Sequence, residues 1–132
     1  MGFDQYHEPP EELPPATRTF ARLCASLTEE AEAIGWYEQR IAVEADPQAL
    51  SVMRDAQGEE FKHFSMDLEF LLRRSPRWRA IAQGILFQSG DIVERGEASE
   101  ARATGASGPE RASSSGGGTG SLGIGGNAGS TR

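Results

Sequence analysis

The sequence predicts an all-α protein: an antiparallel two-helix hairpin followed by short C-terminal helices, which becomes a four-helix arrangement when two copies pair. Three observations predict it. Apolar residues recur at helical spacing through two long segments, and an Asp-Pro step separates those segments. In addition, all ten aromatic residues lie at or before Phe87, while ten of the sixteen glycines follow position 98, so packing material and flexible material are segregated. The organisation expected is an N-terminal extension over 1–14, a helical domain over 15–98 and a disordered Gly/Ser-rich tail over 99–132.

The first helix is expected from Thr17 to Glu44, which contains no proline and only Gly35, with Phe20, Leu23, Leu27, Ala31, Ile34 and Ile41 recurring on a helical period. Asp46-Pro47 ends it. Proline cannot continue the preceding ladder but suits the first turn of a new helix, with Asp46 placed to cap. The second helix then runs from about Gln48 to Arg74 with Leu50, Met53, Phe61, Phe64, Leu68, Leu71 and Leu72 as apolar positions and Gly58 as its weakest point. Ser75-Pro76 stops it in the same way. Shorter helices over about Arg77–Phe87 and Asp91–Ala98 follow, with Trp78 and Phe87 as core or interface anchors. Two antiparallel helices of this length leave a large face of each uncovered. A hairpin of this kind is half of a bundle, and a two-fold dimer is the commonest way to complete one.

Charge and cysteine content exclude several classes. Up to position 98 there are 18 acidic and 10 basic residues, and Lys62 is the only lysine, a poor match for a phosphate backbone. An acidic surface attracts cations instead. Cys24 stands alone, so no intrachain disulfide forms, and its expected place is a small buried hydrophobe. The chain starts with neither a basic n-region nor an apolar stretch and has no run of about 20 apolar residues. A soluble cytoplasmic protein that binds neither membrane nor nucleic acid is expected.

The second helix carries Glu60-Phe-Lys-His63, a Glu-x-x-His that sets a carboxylate and an imidazole on one helix face. In di-iron carboxylate bundles two helices each give such a motif and two others each give a Glu. This chain has one helix of each kind, so two copies supply the full set. Register is an independent test. With the turn centred near Ala45 and Asp46, Glu30 lies about as far before it as Glu60 and His63 lie after it, roughly 23 Å along each helix. Glu29 also passes the height test and Glu32 nearly does. Only Glu30 falls on the stripe Leu23, Leu27, Glu30, Ile34, Tyr37, Ile41, where an uncompensated carboxylate is costly. Such oxygen and nitrogen donors suit iron or manganese better than calcium or structural zinc. Tyr37 follows on the same stripe with its hydroxyl able to reach a ligand, Trp36 is a packing residue beside it, and His7 is a surface residue.

These residues resemble the encapsulated ferritins, the two-helix ferritin-like proteins packaged inside encapsulin nanocompartments. The resemblance covers His7-Glu-Pro9, Glu29-Glu-Ala-Glu-Ala-Ile-Gly-Trp-Tyr-Glu-Gln-Arg40, Asp46-Pro47, Glu59-Glu-Phe-Lys-His63, Met66-Asp-Leu-Glu-Phe-Leu-Leu-Arg-Arg74 and Leu86-Phe87. It implies a ferritin-like four-helix arrangement on dimerisation and a ferroxidase di-iron centre in which Glu30, Glu60 and His63 of each subunit hold iron. It further implies Tyr37 and Trp36 as neighbours of that centre, Glu29 and Glu32 lining the route of ferrous iron, and assembly of the dimers into an annular decamer. Gly58 stands where related sequences tend to carry a charge, and Phe61 and Phe64 stand where smaller or polar residues are common.

In the tail, Gly120-Ser-Leu-Gly-Ile-Gly125 sets the only two large aliphatic residues, Leu122 and Ile124, two apart, so that an extended segment could seat both in pockets of a partner. This stretch, within 120–126, resembles an encapsulin cargo-loading peptide, although Asn127-Ala-Gly-Ser-Thr-Arg132 replaces the second leucine and terminal basic residues of many such peptides. The expected function is oxidation of Fe(II) to Fe(III) by dioxygen as cargo of an encapsulin iron-storage compartment. The rivals are a rubrerythrin-like di-metal oxidase or peroxidase and a non-catalytic helical adaptor whose glutamates are only surface charge.

Overall fold

The computed structural model describes residues 6–105, in which every regular element is helical. After a 3-10 turn at Pro10–Glu12 come α1 (Pro15–Val43), α2 (Pro47–Arg74), α3 (Pro76–Gln83) and α4 (Ile92–Gly105). Proline opens each of the first three helices, where the missing N–H costs nothing.

The hairpin turn satisfies its own backbone. Glu44 Oε1 accepts the amides of Ala45 and Asp46 at 2.9 Å each, and Asp46 Oδ1 accepts the Ala49 amide at 2.8 Å, capping α2. Ser75 plays both parts at the next junction. Its N–H closes α2 onto the Leu71 and Leu72 carbonyls, and its hydroxyl accepts the Trp78 amide at 3.4 Å. Both junctions fall where the Asp-Pro and Ser-Pro steps predict them.

α1 and α2 lie against each other along their length, and α3 folds back on the far end of α2. There Leu71 is completely buried, Leu72, Ala25 and Ala82 are buried with it, and Phe20 meets Trp78 with ring centroids 6.4 Å apart. Glu69 joins the two helices at the surface, accepting from Arg73 at 2.9 Å and Arg79 at 3.2 Å. This core is small. No other hydrophobic residue among those described is buried, and Leu23, Leu27, Ile34, Tyr37 and Ile41 of the long stripe are each only half-covered. The single chain thus leaves open the face that a bundle would close.

Two expectations are corrected. The last helix does not stop at Ala98 but continues to Gly105, so the helical domain extends past its expected boundary into the start of the tail. Ala98, Glu100, Ala101, Arg102 and Ala103 are good helix formers. Ser99 also ties the segment to α3, donating to the Ile81 carbonyl at 2.8 Å and the Ala80 carbonyl at 3.3 Å. Gly84 permits that approach, since a Cβ there would lie 2.2 Å from Ser99 Oγ. Second, α3 ends at Gln83 rather than Phe87, and Phe87 is fully exposed on left-handed backbone with φ 60°, which removes the core alternative and leaves the interface one. Trp78 does pack, but half-buried.

Candidate metal centre

Glu30 comes from the middle of α1, and Glu60 and His63 come from the middle of α2. The antiparallel hairpin sets them level, so that one ligand atom of each lies within 4.8 Å of the others, the one such group among the described residues. His63 Nδ1 is 3.5 Å from Glu60 Oε2 and 4.0 Å from Glu30 Oε2. The two carboxylates are largely shielded, with side chains 22% and 23% exposed, whereas the imidazole is 46% exposed. The cluster faces outward from the pair of helices. It is not sealed by them.

Electrostatics mark the group as charge-deficient. The Glu30 carboxyl is pushed up to about 6, first by its side-chain hydrogen bond with Glu60, then by burial and by the Glu60 charge; His63 opposes the shift and Asp67 adds to it. Two carboxylates at this separation cannot both ionise without cost, and a cation between them removes that cost. The donor set fits a hard or borderline cation such as ferrous iron, with carboxylate oxygens and one imidazole nitrogen. Three protein ligands leave room for more.

Of the other residues singled out by sequence, Glu29 and Glu32 are exposed on α1, flanking Glu30 in sequence. Tyr37 is half-buried on the Glu30 stripe, with the Arg40 guanidinium 5.3 Å above its ring, and makes no hydrogen bond to the cluster within one chain. Trp36 is 54% exposed and lines a shallow depression with Gln39 and Arg40. Cys24 is half-buried, and partial burial raises its thiol above the usual value. Leu122 and Ile124 lie outside the described residues.

Two polar residues near the cluster escaped the sequence reading. Asp67 follows His63 by one turn on the same face, and burial raises its carboxyl while the His63 charge lowers it. Its spacing from Glu60 and His63 was the available signal. Gln57, one turn before Glu60, is buried and bonded to α1, and no sequence pattern marks it.

A helical hairpin that presents a Glu and a Glu-x-x-His at one height matches the ligand pattern of carboxylate-bridged bundles. The family model described as EncFtn-like matches residues 5–89. The chain is 35% identical over 119 residues to an encapsulated ferritin-like protein of Rhodospirillum rubrum, spanning 90% of this chain and 84% of that one. It is 40% identical over 91 residues to a ferritin-like protein of Thermotoga maritima, spanning 69% and 80%. A crystal structure of a Nitrosomonas europaea protein is similar with a TM-score of 0.65 at 34% identity, covering 67% of this chain and 98% of that one. The chain belongs to the EncFtn-like family, and its function is ferritin-like and iron-related. Among the described residues, no helix is long and apolar enough to cross a membrane.

Proposed function

We propose that this protein is a ferroxidase whose di-iron site is shared between two copies of the chain. One observation carries the reading: Glu30, Glu60 and His63 converge to within 4.8 Å on a face that the single chain leaves open. Two such faces brought together on a two-fold axis would offer four carboxylates and two imidazoles, the ligand complement of a di-iron carboxylate bundle.

Ferrous iron is the substrate. Glu29 and Glu32, exposed on α1, attract it electrostatically, and the arriving cation offsets the repulsion that raises the Glu30 carboxyl. Each of two ferrous ions gives one electron to dioxygen, which takes up two protons and leaves as hydrogen peroxide, and the carboxylates stabilise the added positive charge on the ferric products. His63 supplies a neutral nitrogen donor that limits the negative charge at the site. Tyr37 and Trp36 border it on the hairpin side, where pairing of two chains would cover them.

The name of the Rhodospirillum rubrum relative supports a further role as cargo of an encapsulin shell in the cytoplasm, with Leu122 and Ile124 docking on its wall and the shell storing the oxidised iron. Assembly of the dimers into an annular decamer belongs to the same proposal. Aerobic Fe(II) oxidation assays on wild type, Glu30→Ala, Glu60→Ala and His63→Ala test the central activity. Each substitution is expected to bring oxidation close to the uncatalysed rate. Wild-type rates from all three would leave the glutamates as surface charge and favour a helical adaptor.

A further inference from the structure

Gln57 is one of two buried polar residues among those described, the other being Ser99 in the α3–α4 contact, and it is 8% exposed. Its side-chain amide donates across the hairpin to the Ile34 carbonyl at 3.3 Å and to Glu38 Oε2 at 2.9 Å. Gln57 precedes Glu60 by three residues on α2, and Ile34 follows Glu30 by four on α1. The bridge therefore lies one turn from the metal cluster on both helices at once.

That placement matters because the two helices otherwise meet here through half-buried aliphatic groups, which tolerate small axial slips. The covalent turn is about ten residues away from Gln57, or some 15 Å of helix. A slip of one residue moves a helix by about 1.5 Å. A binding constellation has to be held within about 0.5 Å of its productive geometry. An amide with two directed hydrogen bonds, one to main chain and one to a side chain a turn further on, resists both sliding and rotation.

We infer that Gln57 is a positioning residue, the register lock that holds Glu30 level with Glu60 and His63. It touches no metal. It acts through α1, by fixing where the Ile34 carbonyl, and with it the preceding turn that carries Glu30, sits against α2. Glu38, exposed on its other side, orients the Gln57 amide by accepting its second N–H. The inference rests on the shared-site reading above.

The test uses the full-length chain, with Co(II) titrated calorimetrically as the probe and melting temperature read alongside. Gln57→Leu keeps the size and removes both donors. It is expected to weaken Co(II) binding by about tenfold, the scale on which residues that orient metal ligands act. Glu38→Ala, a change at an exposed position, should weaken it less, and Gln57→Lys, which restores donors toward both acceptors, should recover most of the loss. Equal Co(II) affinity in wild type and Gln57→Leu would overturn the proposal. So would a loss that follows melting temperature across all three variants without recovery in Gln57→Lys. Wild-type protein that takes up no Co(II) would instead sink the shared-site reading. The register claim would then be judged on crystals of the metal-free proteins: a Glu30–Glu60 separation widened by about 0.5 Å or more in Gln57→Leu supports it, and an unchanged separation overturns it.

Discussion

The two ends of the molecule are built to different degrees of completion. Where α2 passes into α3 and α4, Leu71 is fully buried, Ser75 closes one helix and caps the next, and Ser99 fits against Gly84 with no room for a Cβ. Around Glu30, Glu60 and His63, by contrast, the flanking apolar residues are half-covered, and the neighbouring Glu60 and burial push the Glu30 carboxyl up to about 6. The first region is finished within one chain. The second holds charge and apolar surface that one chain leaves uncovered, and the proposed cation and second copy would cover both.

That contrast can be broken by perturbing each end alone. Leu71→Ala should have the largest effect, costing about 2–5 kcal/mol in denaturant unfolding because the site has no exposed route for relaxation. If metal is added in saturating amount, its binding should return part of that loss. Gly84→Ala should cost about 1–3 kcal/mol through overpacking against Ser99 and should release α4 from α3, read as faster hydrogen exchange over Ile92–Gly105. Fe(II) oxidation should be nearly unchanged by it, since α4 contributes nothing to the cluster. Asp46→Ala, which removes the α2 cap, should cost about 1 kcal/mol.

The open end should respond with the opposite sign. Glu30→Gln removes one of two competing carboxylates, so the metal-free variant is expected to melt slightly above metal-free wild type at neutral pH while losing iron oxidation. In the wild type, the raised Glu30 carboxyl contributes stability that is fully present below its ordinary value near 4.5 and is lost as pH rises through about 6. Melting temperatures of the metal-free protein should therefore fall across that window. The fall should be reduced in Glu30→Gln, where the raised Asp67 carboxyl still contributes, and a flat wild-type profile would remove the argument that the site is short of positive charge.

Much of this was legible in the residues because the strongest local signals coincide with the architecture. Asp46-Pro47 and Ser75-Pro76 fix the junctions of α1, α2 and α3 by covalent geometry, and the Glu-x-x-His with a glutamate at matching height is enough to assemble the cluster. The choice of Glu30 over Glu29 and Glu32 came from its place on the apolar stripe, and the structure brings Glu30 alone of the three to His63. What escaped depends on contacts between elements. Ser99 reads as tail composition until α3 offers it two carbonyls. Gln57 has no periodic meaning until Ile34 and Glu38 face it, and Phe87 reads equally as core or interface until the backbone turns it out to solvent.

The measurement that tests the shared site most directly is native mass spectrometry of the full chain with and without Fe(II), under anaerobic conditions and then in air. The account predicts metal-free monomers, iron held only by dimers or larger even-numbered assemblies with two ions per dimer, and consumption of that iron on exposure to air. Monomers that bind iron as fully as the assemblies, or a population indifferent to iron, would contradict it.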